Sequence, residues 1–277
     1  SGVAFFVNTR NRQWYDYNGD NFSEIPAIKD NSFGVGFFVL PSDDARLQFN
    51  INSLHEYRYG GEMVSGAPHL AMQSEEREHD VLLGNIDYDL SFNGGNSSFS
   101  AYLAAQKTNR EHYTGIRPDV GTSSDVDHLQ SPPYGYSLNI TKQAGLQFNH
   151  KLYRFFRSNL ITVGFEYLSD DVLDEISTYN YLIEQEVNSF GFLAQSDWDL
   201  SESLNLLAGA RIDNHSLLQD VVLSPRVSIL YKLEKETQFR MSYSTGFRAP
   251  QAFDTDMHLA FAGGGVSRII LDENLKH

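Results

Sequence analysis

Residues 190–200 read FGFLAQSDWDL, residues 201–203 read SES, and residues 204–213 read LNLLAGARID. Phe190, Phe192, Ala194, Trp198 and Leu200 alternate with Gly191, Gln195, Asp197 and Asp199. After the break, Leu204, Leu206, Ala208, Ala210 and Ile212 alternate with Asn205, Gly209, Arg211 and Asp213. Side chains alternate across a β-strand, so each stretch has one greasy face and one wet face. Two such stretches joined by three small polar residues predict an antiparallel hairpin.

The same reading extends over the chain. Eleven strand-like segments are expected: Val3–Trp14, Ser32–Leu40, Ala45–Tyr57, Asp80–Phe92, Ser98–Tyr113, Ser137–His150, Asn159–Leu168, Tyr181–Leu200, Leu204–His215, Ser224–Leu233 and Gln238–Thr245. Most are longer than the usual five or six residues of soluble sheets and match the roughly 9–11 residues of a tilted membrane-crossing strand. Leu82, Ile86, Tyr88 and Leu90 oppose Asn85, Asp87 and Asp89, and Ile161, Val163, Phe165 and Tyr167 oppose Thr162, Gly164 and Glu166. Ser32–Leu40 is less clean, with Phe38 and Leu40 on its wet face.

The connections alternate as well. Pro41–Asp44, Asn93–Ser97, Ser201–Ser203 and Glu234–Glu236 read as tight turns. Between them lie long polar links, Tyr59–His79, Thr114–Tyr136 and Ser169–Asn180, with Ser216–Leu223 of middling length. In an antiparallel meander all short turns fall at one end and all long links at the other, the asymmetry of an outer-membrane barrel. A soluble sandwich or solenoid also alternates, but it predicts neither strands this long nor links sorted by end. Tyr88, Trp198 and Tyr231 fall near the short-turn ends, and Tyr57, Tyr113 and Tyr167 near the long-link ends, where bilayer interfaces favour amphipathic rings.

Composition bounds the function. With 21 basic and 36 acidic residues the net charge is −15, which argues against nucleic acid as a partner. There is no cysteine, hence neither a disulfide framework nor a thiolate metal site. No run approaches the ~18–20 apolar residues of a membrane helix, and no signal segment opens the chain, which starts directly in a strand.

Arg240–Gln251, read RMSYSTGFRAPQ, resembles a signature of TonB-dependent outer-membrane receptors, in which a strand ends in a Gly-Phe-Arg-Ala-Pro run. Here that run is Gly246, Phe247, Arg248, Ala249 and Pro250. The strands around Gly209–Asp213 and Ser224–Tyr231 are similar to those that precede it in the family. The resemblance implies a 22-stranded barrel filled by an N-terminal plug. It also implies uptake of a scarce nutrient such as an iron chelate, haem, cobalamin or glycan, driven through TonB. Residues 1–277 are then expected to be one partial barrel domain, about half of the strands, without the plug or the C-terminal strands. Partners would be outer-membrane lipid, the plug, the TonB complex, the nutrient and a surface lipoprotein; no cofactor and no catalytic constellation are expected. A soluble β-rich binding module and a barrel enzyme are the alternatives.

In such a receptor ligand contacts belong to external loops and upper lumen. His112, Tyr113, Tyr134 and Tyr136 are the expected ligand residues, because aromatic rings stack on ligand rings or sugars. Arg211, Arg226 and Arg240 lie on wet faces and are expected to line the lumen and meet the plug. The acids Asp119, Asp125 and Asp127, and Asp170, Asp171, Asp174 and Glu175, lack the spacing of a calcium loop and read as solvated loops. His69 and His79 share one link and His112 ends a strand, with no metal-ligand spacing among them.

Overall fold

The computed structural model describes residues 1–153, 157–234 and 237–248. Eleven strands run in chain order through one antiparallel sheet: β1 Gly2–Arg12, β2 Ala27–Ser42, β3 Ala45–Gly61, β4 Gln73–Phe92, β5 Ser97–Ile116, β6 Tyr134–Leu152, β7 Ser158–Ile176, β8 Tyr181–Asp199, β9 Leu204–His215, β10 Val222–Lys232 and β11 Gln238–Ser244. Each strand pairs only with its sequence neighbours, the up-and-down order. The opening hairpin forms as read, with Phe192 opposite Ile212 and Trp198 opposite Leu206.

The greasy faces do not meet each other. Ile86, Leu103, Leu146, Phe165, Phe192, Ile229 and Met241 all lie on one face, and Leu103 is 59% and Met241 74% exposed. A sandwich would bury this face, so the single sheet excludes that alternative. The band spans Leu82–Leu90 on β4 and Phe190–Trp198 on β8, about the tilted crossing length. Among the described residues no helix is long and apolar enough to cross a membrane; the apolar surface is carried by strands.

The opposite face is polar and tightly fitted. Gln48 donates to Asn50, Asn205 to Asp197, and Ser100 to Asp89. Glycines there make room for rings on the paired strand. Gly34 sits opposite Phe6 and Gly145 opposite Tyr102, and a Cβ on Gly145 would lie 2.1 Å from the Tyr102 ring. Phe38, out of pattern in the sequence, packs on this face over Gly2 and beneath the Arg46 guanidinium, 5.0 Å from its ring centre.

The strands outrun the sequence reading, and nearly all of the excess is at the long-link end. β4 begins at Gln73 rather than Asp80, and β7 continues to Ile176 rather than stopping at Leu168. His79 is therefore in a strand, not a link. The expected long link 169–180 shrinks to Ser177–Asn180, a 3-10 turn closed by Asn180 in the left-handed conformation at φ 49°. Apart from that shortened connection the sorting survives: 43–44, 93–96 and 200–203 lie at one end, while 13–26, 62–72 and 117–133 lie at the other. The turn at 234–236 falls partly outside the described residues.

Candidate functional site

Above the apolar band the two faces change character. On the banded face the side chains become charged, with Glu78, Asp80, Glu111, Asp171, Glu184 and Glu186 outnumbering Lys29, Lys107 and Lys142. On the lumen face stand five arginines, Arg10, Arg12, Arg58, Arg77 and Arg110, and no lysine at that height. The rim of the lumen is thus more positive than its outer collar, in a chain whose net charge is −15.

Three of these arginines pair with carboxylates, and Arg12 donates to the Pro26 carbonyl at 3.1 Å. Arg10 pairs with Asp30, Arg58 with Glu56 at 2.8 Å, and Arg77 with Glu75. On β6 and β7 the Asn139 amide donates to Asp170 at 2.8 Å, Thr141 donates to the same carboxylate at 2.6 Å, and Ser137 donates to Asp174. Asp170 and Asp174 are therefore strand carboxylates receiving hydrogen bonds, correcting the reading of a solvated acidic loop; Asp171 faces the other way, near Lys142 at 3.7 Å. A cleft of about 270 Å³ opens over the polar face of β4 to β7, lined by Arg77, His79, Gln106, Arg110, Ser137 and Asn139 among others.

Lower on the lumen face, Arg211 bridges Glu166 on β7 and Asp213 on its own strand. Gly191 leaves room for its guanidinium. A second cleft of about 410 Å³ joins Arg211, Asp213 and His215 to Gly246, Phe247 and Arg248. Phe247 meets His215 edge-on, ring centres 6.4 Å apart, so the motif folds inward over the lumen face after β11. Ala249 and Pro250 lie outside the described residues. Arg226 and Arg240 also point to this face, Arg226 opposite Gly209 and Arg240 opposite Leu230.

The four expected ligand residues divide between the faces. His112 points into the lumen, its ring against Gly135 on the paired strand. Tyr113, Tyr134 and Tyr136 take the opposite phase. Tyr113 is fully buried, with its ring 5.2 Å from that of Tyr134. Burial pushes its phenol up to about 12. The Tyr134 hydroxyl lies 2.8 Å from His69 Nδ1, and His128 lies near both the Tyr113 hydroxyl and the His69 carbonyl. These four rings lock link 62–72 to link 117–133, so Tyr113 orders loops rather than marking a bilayer interface.

Link 117–133 carries its own short helix, α1 Ser123–Gln130, capped by Thr122, whose hydroxyl accepts from the Asp125 amide at 3.2 Å. Asp125 is not solvated as read: it is buried and takes two hydrogen bonds from Arg117, at 2.7 and 3.2 Å. The Arg117 guanidinium holds its carboxyl below the usual range. His69 and His79, expected in one link, are separated; His79 instead faces the lumen opposite Arg110. Sequence reading missed Arg77 and Arg110 as lumen residues, although their parity with Asn85 and Gln106 on the same strands would have placed them.

Solved structures similar to this chain include a siderophore receptor, an alcaligin receptor and a ferric enterobactin receptor. Those of PirA from Pseudomonas aeruginosa and FauA, the alcaligin outer-membrane receptor of Bordetella pertussis, match with TM-scores of 0.63 and 0.65 and identities of 12% and 11%. They cover 81% and 96% of this chain. A variant of the ferric enterobactin receptor PfeA from Pseudomonas aeruginosa, in complex with enterobactin, matches over 90% of the chain with a TM-score of 0.69 at 12% identity. At such identities the likeness shows the fold alone, that of a partial receptor barrel. The chain spans 34%, 41% and 40% of those three receptors. No curated protein matches the chain. The family model described as TonB dependent receptor-like, beta-barrel, matches residues 3–276, and the chain belongs to that family.

Proposed function

We propose that this chain forms part of the wall of a TonB-dependent outer-membrane receptor, and that its cargo is iron bound to a small organic chelator. The observation that carries the reading is the division of the one sheet: an apolar band on the outside, a hydrogen-bonded polar face within, and ordered loops at one end only. Backbone groups in hydrocarbon must all be paired, which fits strands closed into a barrel with the apolar band against outer-membrane lipid. The siderophore receptors among the structural neighbours support an iron chelate over haem, cobalamin or a glycan.

The lumen face then serves two partners. Near the short-turn half, Arg211, Arg226 and Arg240 meet a plug domain, whose release is coupled to the TonB complex. At the rim, His112 and its arginine neighbours form the wall that the cargo passes, with Tyr134 and Tyr136 on the loop side.

The test is growth. A strain lacking its own iron receptors, expressing the complete receptor, should grow on at least one ferric chelate and only with an intact TonB system. Growth on haem or cobalamin, with none on any ferric chelate, would redirect the cargo. Recovery of the receptor as a folded monomer from the aqueous fraction would overturn the barrel reading altogether.

A further inference from the structure

Glycines on the lumen face of this sheet seat side chains of the paired strand. At Gly34, Gly145, Gly191 and Gly209 a Cβ would lie 1.9, 2.1, 2.2 and 2.4 Å from a side-chain atom of that strand. Gly84 on β4 differs. It shares the phase of Leu82 and Ile86, so it faces outward, inside the apolar band. A Cβ there would meet only the Asn50 carbonyl oxygen, at 3.7 Å, and among the described residues no side chain comes within 4 Å of it. A glycine inside a strand weakens it and often marks a close approach by another body. The chain itself makes no use of the space beside Gly84.

A groove of about 590 Å³ opens over that glycine, with Ile51, Leu103, Ala105, Ala144 and Tyr167 in its lining. That volume falls in the roughly 300–1,000 Å³ range of small-molecule sites. The register puts Ile51, Gly84 and Ala105 in one outward row, and Leu103, Ala144 and Tyr167 in the next row down.

Two lysines stand at the upper side of the groove. Lys142 continues the row of Ile51, Gly84 and Ala105, and it also lines the groove. Lys107 is one row higher, diagonal to Lys142 and opposite Ile140. Strand geometry sets such diagonal Cβ atoms about 7 Å apart. Lys142 is inside the apolar run of its strand, with Leu138 and Ile140 above it and Ala144 and Leu146 below. A cation on a lipid face costs most at mid-depth, so this position calls for counter-charge. Asp171 supplies one carboxylate, 3.7 Å from Lys142. Among the described residues Lys107 makes no ion pair. The outward carboxylates of β4 and β5 stand higher, Asp80 one row above Lys107, and Glu78 and Glu111 two rows above. Two ammonium groups and one carboxylate leave an unmatched positive charge at the head of an apolar groove.

We propose that the groove holds one phosphate-bearing lipid of the leaflet on the loop side, with an acyl chain over Gly84 and Ala105 and its phosphate between Lys107 and Lys142. Each ammonium has three N–H donors, so Lys142 can hold a phosphate oxygen while its Asp171 contact persists. The inference rests on the receptor reading, which sets the banded face in lipid. A neutral lipid would leave the lysines unmatched, and a free phosphate would leave the groove unfilled.

The test is native mass spectrometry of the complete receptor, released from micelles doped with one probe at a time. The probes are dimyristoyl phosphatidic acid, dimyristoylglycerol with the same chains and no phosphate, and glycerol phosphate with no chains. The receptor should retain a single phosphatidic acid, about tenfold more tightly than dimyristoylglycerol, and no glycerol phosphate. K107Q/K142Q should remove that preference. Gly84→Leu should weaken retention of both lipids, because its side chain fills the groove. Ala194→Leu, outward in the band of β8 and away from the groove, should leave both unchanged. Equal retention of the two lipids by the unmodified receptor would overturn the proposal, and so would a preference that survives K107Q/K142Q. Retention of glycerol phosphate alone would make the lysines a free-phosphate site and overturn it too. The comparison of probes needs no variant, so the outcome holds even if K107Q/K142Q fails to assemble. The two readings fail separately. A receptor that stays folded and monomeric without detergent would sink the membrane reading. A detergent-dependent receptor that ignores the phosphate would sink the groove alone.

Discussion

At the residue scale, what decides each position is the face it occupies. Gly145 and Tyr102 show it: the ring needs the space a side chain would fill. Gly145→Val should therefore force the ring off its seat and cost about 1–3 kcal/mol of unfolding free energy, read from urea unfolding of the receptor in detergent. Tyr102→Ala in the same background should recover part of that loss. His112 makes a second case. Burial is the largest cause holding its imidazole down, to about 4 from an ordinary 6.5, with Arg110, Arg77 and His79 adding and Asp174 opposing. Between those values the unfolded chain binds a proton that the folded chain does not. Stability conferred at neutral pH should therefore fall as pH drops from 6.5 toward 4 and then level off, by about 1–2 kcal/mol after allowance for partial solvent access. His112→Gln should flatten that limb in melting curves taken in chloride buffer. The sequence showed His112 as a loop-side aromatic. Its true phase follows from counting ten residues back to Tyr102 on the lumen face.

At the element scale, all eleven strands were legible because the apolar band keeps one phase along the middle of the sheet. Their outer ends were not. Above the band, the apolar residues of β7 and β8 change sides: Val172, Ile176, Ile183 and Val187 are buried on the lumen face, while Asp171, Glu184 and Glu186 face out. A reading that follows one greasy face loses the strand where that phase inverts, which is why 169–176 looked like a loop. In β4 the cause is different: residues 73–79 are polar on both faces and persist as strand through backbone pairing and polar side-chain contacts, such as the Tyr57 hydroxyl donating to Glu76 at 2.9 Å. The band itself gives a sharp contrast between neighbours. Ile86 lies at the middle of its stretch on β4, and Asn85 faces the lumen. Ile86→Arg should cost about 2–4 kcal/mol in lipid, whereas Asn85→Arg should fall within about 1 kcal/mol of the parent, both from folding titrations into vesicles. Equal costs would mean that the band does not face hydrocarbon.

At the scale of the whole molecule the sorted connections give the sheet a direction. The loops locked by His69, His128, Tyr113 and Tyr134 all stand at one end, and the turns 93–96 and 200–203 at the other. In an outer-membrane receptor the ordered loops face the medium and the turns the periplasm. The absence of cysteine makes this directly testable, because any introduced thiol is the sole target among these 277 residues. Val120 is 78% exposed in link 117–133, and the Glu202 side chain is 82% exposed in the turn between β8 and β9. Neither is needed for packing, so Val120→Cys and Glu202→Cys should both assemble normally. A membrane-impermeant maleimide added to intact cells should label V120C and leave E202C untouched until the outer membrane is opened. The reverse pattern would invert the molecule and move the rim, with its arginines, to the periplasmic side, where no cargo arriving from outside could meet it first. Labelling of both positions in intact cells would mean that the sheet does not separate two compartments, and the receptor reading would fall with it.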